Sequence, residues 1–215
     1  MESAVQRTRR CGDTSVEAGR VATQLAWYEF ALRFVKDKTV LDVGCGLGAG
    51  LAILAREATA VLGHDVDPRL AGPLVLVQDI GDFSDKSFDV VTFFDVVEHV
   101  EDPLGLVAHC ARIARIGFFL TTPNWTASRC RWPYHLREYK PQELEYLLCG
   151  FGKVTLYKGT PGGDKVYAVR HRWPYYYMND FRTWLPTSLV TRCLNRILPS
   201  PCRIHSHLGA WVALG

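Results

Sequence analysis

The sequence predicts an α/β fold built on a doubly wound, mostly parallel sheet, and three observations point there. Short apolar, β-branched segments alternate with stretches of helical periodicity through residues 16–123. Two of those segments, FDVVTFF and FFLTT, are nearly continuous apolar runs. Parallel strands take that form because helices cover both faces of the sheet. The third observation is the end of the first run, Thr39-Val40-Leu41-Asp42-Val43, where Gly44, Gly46, Gly48 and Gly50 follow within seven residues. Glycine costs folding entropy, so such density at a strand end implies that another molecule approaches the backbone there.

Residues 1–15 are polar and are expected to be mobile. Residues 16–36 carry Val21, Leu25, Tyr28, Leu32 and Val35 at helical spacing, which predicts a helix. Strand one is 38–43, LAILAREA (51–58) a helix, and strands two, three and four are 60–66, 74–79 and 87–97. Pro103 opens a helix over 103–114, and 115–123 is strand five. A helix at 141–149 is ended by Gly150, and KVTLYKG and KVYAVR read as strands of antiparallel character. The segment 173–200 is aromatic and then amphipathic, an expected cap or insertion, and LGAWVALG is an expected final strand.

With 215 residues, 48% hydrophobic and 22% charged, the chain suits one soluble domain with a full core. A net charge of +3 is too mild to argue for nucleic acid or an anionic membrane. The clusters Arg7-Thr8-Arg9-Arg10 and Arg129 with Arg131 read as solvated surface. Seven cysteines, irregularly spaced and without a CxxC pair, predict neither a disulfide framework nor a zinc centre. No signal-like stretch opens the chain, and no run approaches the roughly 18 apolar residues of a membrane span. A cytoplasmic location is the expectation.

DVGCGLGAG resembles the first motif of class I S-adenosylmethionine-dependent methyltransferases, D/E-x-G-x-G-x-G. The likeness continues through LGHDVDP, VQDI, FDVVTFFDVVEHVEDP and FFLTTPNW, and is similar to the small-molecule, ubiquinone-pathway O-methyltransferase group. It implies a Rossmann-like fold with S-adenosylmethionine at the carboxyl ends of strands one to four. Asp65 would meet the ribose hydroxyls, and Asp79 with Ile80 the adenine. Gly44, Cys45 and Gly46 would form the loop, ordered by Asp42, which would reach the methionine end. Tyr28, in WYEFALRFV, stands where relatives have a helix over the cofactor, and Val66, Asp95 and Val96 complete the set. The chain then divides into an N-terminal helical segment (1–37), a cofactor-binding core (38–125) and acceptor-side and C-terminal strands (126–215) of one domain.

Methyl transfer is a displacement at a sulfonium carbon, so the protein chiefly aligns the two reactants. A base is needed only for a hydroxyl or ammonium acceptor. His99, just past strand four, and His135, in RWPYHLREYKPQEL, are the candidates. DVVEH also resembles the EVVEH stretch of the ubiquinone group, where acids and histidine can bind magnesium. Asp95 here is one methylene shorter than that glutamate, and no metal is expected. Residues 125–139 and 171–190 are expected to wall a small-molecule acceptor. The aromatic residues Trp125, Trp132, Tyr134, Tyr139, Trp173, Tyr175, Tyr176, Tyr177 and Trp184 line that pocket or fill a core. No (N/D)PP(Y/F/W) turn follows strand four, which argues against a nucleic-acid substrate. The expected function is methylation at oxygen or nitrogen of a small molecule. The glycine loop with Asp65 also fits an NAD(P)-dependent oxidoreductase, and the same motifs would serve a non-catalytic S-adenosylmethionine-binding module.

Overall fold

A computed structural model of the chain describes residues 14–130, 132–160, 165–184, 188–199 and 202–215. The predicted features at 1–13, Arg131 and residues 185–187 and 200–201 lie outside the described residues. Helix α1 (Thr14–Val35) precedes β1 (Thr39–Val43), α2 (Leu51–Leu54), β2 (Ala60–Asp65), β3 (Val75–Val77) and β4 (Phe88–Phe94). Then come α3 (Pro103–Ile113), β5 (Ala114–Pro123), α4 (Trp125–Ser128), α5 (Pro141–Leu148), β6 (Lys153–Gly159) and β7 (Val166–Ala168). Helices α6 (Arg172–Thr183) and α7 (Ser188–Ile197) lead to β8 (His207–Ala213). Among the described residues no helix is long and apolar enough to cross a membrane.

The eight strands form one sheet in the order β3-β2-β1-β4-β5-β8-β6-β7. Strands β1 to β5 are mutually parallel. The chain starts at β1, winds outward to β3 and then crosses back to β4 on the other side of β1. That reversal opens a crevice at the carboxyl ends of β1 and β4, where a ligand can meet loops from both directions.

Successive side chains of a strand face opposite sides, and the core follows that rule. Val40, Val90, Phe94 and Phe119 pack under α1 with Trp27, Phe30, Ala31 and Val35. Their neighbours Leu41, Val91, Phe93 and Phe118 join Val107, Ile113, Leu144 and Leu148 of α3 and α5 on the other face. Trp27 is the largest side chain of the first layer. Its ring would stand 2.8 Å from a Cβ on either Gly159 or Gly209, so those glycines make its seat.

Strands β6 and β7 have the predicted antiparallel character: β8 inserts between β5 and β6, and β6 pairs antiparallel with β8 on one side and β7 on the other. Three element bounds are corrected. Strand four ends at Phe94 rather than 97, since Asp95 adopts φ 53 and turns the chain. The helix after the glycines is Leu51–Leu54, shorter than 51–58, and β3 is Val75–Val77 rather than 74–79.

Replacing Trp27, which is 1% exposed, by alanine should cost about 3–5 kcal/mol of stability, as for other large core truncations. Denaturant unfolding of the two proteins measures this, and a loss under about 1 kcal/mol would show that the α1 layer repacks freely.

Candidate functional site

A cavity of about 550 Å³ opens at the carboxyl ends of β1, β2 and β4, within the range of small-molecule sites. Its floor is the loop after β1. Gly44, Gly46 and Gly48 have φ of 69°, 58° and 76°, a region that other residues rarely enter. Two of them have different reasons for being glycine. A Cβ on Gly44 would lie 2.5 Å from Cγ2 of Val96, so packing forbids it. A Cβ on Gly46 would meet nothing within 4 Å, so the space over it is open to a ligand.

Asp65 ends β2 and fixes this loop. Its Oδ2 accepts the Gly46 N–H at 3.0 Å, and its Oδ1 accepts those of Val66 and Asp67 at 2.8 and 3.1 Å. Asp79 likewise turns its own chain, accepting the Gly81 N–H at 2.7 Å, beside Ile80. Burial, with Asp42 and Asp65 close by, pushes the Cys45 thiol up, so Cys45 is a neutral wall. His64, which sequence reasoning passed over, also lines the cavity and bonds the Gln78 carbonyl at 2.9 Å.

Asp42 lies beneath the cavity rather than in its wall. It is fully buried and accepts hydrogen bonds from Tyr28 Oη at 2.9 Å and Thr92 Oγ1 at 2.7 Å. The loop is therefore ordered by Asp65, and the expected bond from Asp42 to the glycine loop is replaced by a bridge from α1 to β4. Burial raises the Asp42 carboxyl to about 7, against the opposing effect of its Thr92 and Tyr28 hydrogen bonds. Tyr28 itself lines the cavity and stacks on Phe94 at 3.8 Å.

The far wall comes from the end of β4, where Asp95, Val96 and His99 line the cavity. Asp95 Oδ1 accepts from Thr121 Oγ1 at 2.9 Å and from His207 Nε2 at 3.1 Å. His99 Nδ1 donates to the Tyr134 carbonyl at 3.0 Å. His135 packs edge-on to it with ring centres 4.7 Å apart, and its Nδ1 donates to Glu138 Oε1 at 2.5 Å. Between them Glu98 is fully buried, with one oxygen held by Thr122 Oγ1 at 3.0 Å. Burial and the Asp95 charge raise the Glu98 carboxyl to about 8.

Of the predicted residues, Tyr28, Gly44, Cys45, Gly46, Asp65, Val66, Asp79, Ile80, Asp95, Val96 and His99 meet around one cavity, while Asp42 and His135 stand behind its walls. None of the described residues of 125–139 and 171–184 lines it. Most of the tail aromatic residues point outward: Trp173, Tyr177 and Trp184 are 81%, 60% and 86% exposed, and Tyr139 and Tyr175 are core. Thr92, Glu138 and His207 were missed as partners. Only Glu138 had a local signal, its i+3 spacing from His135.

The Asp42 carboxyl gives the stability a pH dependence. Its folded value near 7 lies above the ordinary carboxyl value of 3.8, so the folded state holds the extra proton between them. Its contribution is thus present at low pH and lost as pH rises towards 7. Relative to Asp42→Asn, the wild type should lose stability between about pH 5 and about pH 7.5. Denaturant unfolding at both values reads the difference; a constant gap would mean that Asp42 is ionised throughout.

The family model of the methyltransferase domain matches residues 20–160 of this chain. A ubiquinone biosynthesis O-methyltransferase of Hahella chejuensis is 36% identical over 104 residues, which cover 40% of this chain and 44% of that protein. The chain thus spans about half or less of the length of the first curated relatives it matches. A SAM-dependent methyltransferase of Archaeoglobus fulgidus shares the fold with a TM-score of 0.59 at 21% identity, over 91% of this chain and 93% of that one. The plantazolicin methyltransferase BpumL, solved with SAH, gives 0.57 at 16% identity over 98% and 90%. Switch-point cavity, strand order and the match over most of the chain agree: this chain belongs to the methyltransferase domain family, with the class I, Rossmann-like fold of S-adenosylmethionine-dependent methyltransferases.

Proposed function

We propose that the chain transfers a methyl group from S-adenosylmethionine to an oxygen or nitrogen of a small molecule. The observation that carries this is Gly46. It combines a left-handed backbone, open space where a Cβ would be, and an N–H held by Asp65 at the switch point of the sheet. When bound, S-adenosylmethionine supplies an electrophilic methyl on a charged sulfur. The loop Gly44–Gly46 receives its amino-acid end, Asp65 its ribose diol, and Asp79 with Ile80 its adenine. Val66, 59% exposed beside Asp65, adds an apolar surface, and Tyr28, Asp95 and Val96 bound the methyl side. Asp42 acts from beneath by holding Tyr28 in place.

His99 is the histidine placed to take a proton from an acceptor in the cavity, at Nε2, since its Nδ1 is committed to the Tyr134 carbonyl. His135 backs it and positions its ring. A mild net charge of +3 favours a small acceptor over nucleic acid.

The cofactor reading is tested by melting curves with S-adenosylmethionine, S-adenosylhomocysteine and NAD(P), since a ligand of the native state raises the midpoint by mass action. The first two should stabilise the protein; stabilisation by NAD(P) alone would overturn the assignment. Asp65→Ala should weaken S-adenosylmethionine by about 1.5–3 kcal/mol, the usual worth of hydrogen bonds to a charged group. Gly46→Val should abolish measurable binding by filling the open space, and calorimetry that found wild-type affinity would show the loop to be ordinary.

With the acceptor in hand, His99→Gln should lower turnover about 10²–10⁴-fold while cofactor affinity is kept. Undiminished turnover would leave alignment alone as the source of rate, and binding without any turnover on metabolite extracts would favour a non-catalytic module.

A further inference from the structure

The resemblance to the EVVEH stretch implies magnesium at Asp95, Glu98 and His99, and the side chains do not fit it. Asp95 is turned to Thr121 and His207, at 2.9 and 3.1 Å. The residues that converge are instead Glu98, His99 and His135, each offering one ligand atom, all within 4.8 Å of one another. Two imidazole nitrogens and one carboxylate oxygen form a donor set for zinc-class ions, whereas magnesium prefers oxygen and water.

We propose that Glu98, His99 and His135 bind a zinc-class divalent ion. The second oxygen of Glu98 and Nε2 of His135 are buried and have no hydrogen-bond partner. Such orphaned polar atoms are costly in a folded protein, and a shared cation removes both costs at once. The imidazoles are already set as metal-bound histidines are, each oriented through its other nitrogen. His135 Nδ1 donates to Glu138 and His99 Nδ1 to the Tyr134 carbonyl, which makes Nε2 the ligand atom of each ring. Glu138 is held in turn by the Cys130 N–H at 2.9 Å and by Ser128.

Zinc bonds of about 2.0–2.2 Å put tetrahedral donors about 3.4 Å apart, so the three ligand atoms, now within 4.8 Å of one another, would draw together on the ion. The ligands come from two segments that already touch, since the Leu136 and Arg137 N–H groups donate to the Glu98 carbonyl at 2.8 and 3.2 Å. An ion would complete this clamp between the end of β4 and the loop 132–139. Through His99 it would stand at the cavity wall, where such an ion makes a bound oxygen more acidic, the part otherwise left to the His99 ring. That functional role rests on the methyltransferase reading; ion binding does not.

The test uses chelator-treated protein, Zn²⁺ by calorimetry and Co²⁺ as the optical probe. Zinc should bind at about one ion per chain and raise the melting temperature, and cobalt should give visible bands without a thiolate band. Glu98→Gln and His135→Gln should each weaken zinc at least about tenfold and remove the thermal shift, with folding checked by circular dichroism. Asp95→Asn should leave zinc affinity unchanged. A thiolate band, unchanged affinity in both ligand variants, or magnesium binding that depends on Asp95 would overturn the proposal. A protein that binds zinc this way yet ignores S-adenosylmethionine would sink the cofactor reading alone.

Discussion

One buried carboxylate sets the geometry around which the site is built. A carboxylate out of water is expensive unless its oxygens are hydrogen-bonded, and Tyr28 from α1 and Thr92 from β4 each donate to one oxygen of Asp42. Tyr28 is therefore not free to swing. Its ring stacks on Phe94 and reaches to 2.1 Å from where a Cβ of Gly50 would be. Gly50 must remain bare for that ring to fit, and Gly50 is the residue from which α2 starts. The entry of the loop into its helix is thus fixed from below, through a phenol and a buried acid.

The carboxyl ends of parallel strands supply the rest. Chain direction makes β1, β2 and β4 release their loops on one side, so residues 19 to 50 positions apart meet there without any local signal between them. Asp65 belongs both to the scaffold and to the cavity wall. Its Oδ2 holds the glycine loop through the Gly46 N–H, and its Oδ1 accepts the Val66 and Asp67 N–H groups just after it, so the carboxylate is oriented before a ligand enters. Pre-orientation of this kind lowers the entropic cost of binding.

The aromatic residues of the second half of the chain divide between core and surface. Helix α6 turns Tyr175, Asn179 and Arg182 inward and leaves Trp173, Tyr177 and Trp184 in solvent, as its 3.6-residue period requires. Asn179 accepts from Asn124, the residue that follows β5, at 3.0 Å, and Arg129 reaches the Arg182 carbonyl at 2.8 Å. These polar contacts pin α6 to the end of β5. Nearby, burial lowers Lys158 to about 8, where it lies over the Tyr175 ring at 4.7 Å and donates to the Arg203 carbonyl.

The sequence by itself determined the α/β class, the five parallel strands and eleven of the thirteen named site residues that line or bound the cavity. It could do so because apolar periodicity and glycine chemistry act over a few residues, and the strand ends they mark are brought together by the winding rule alone. Tertiary structure decided what depends on contacts between distant segments. The place of β6 in the sheet follows from the insertion of β8, a pairing about fifty residues away that no local pattern records. Asp42 found Thr92 rather than the glycine loop, because neighbouring strands put them at the same level of the sheet. His99, His135 and Glu98 came together for the same reason: a loop after β5 folds back on the end of β4, and only three-dimensional packing says which donor atoms then face one another.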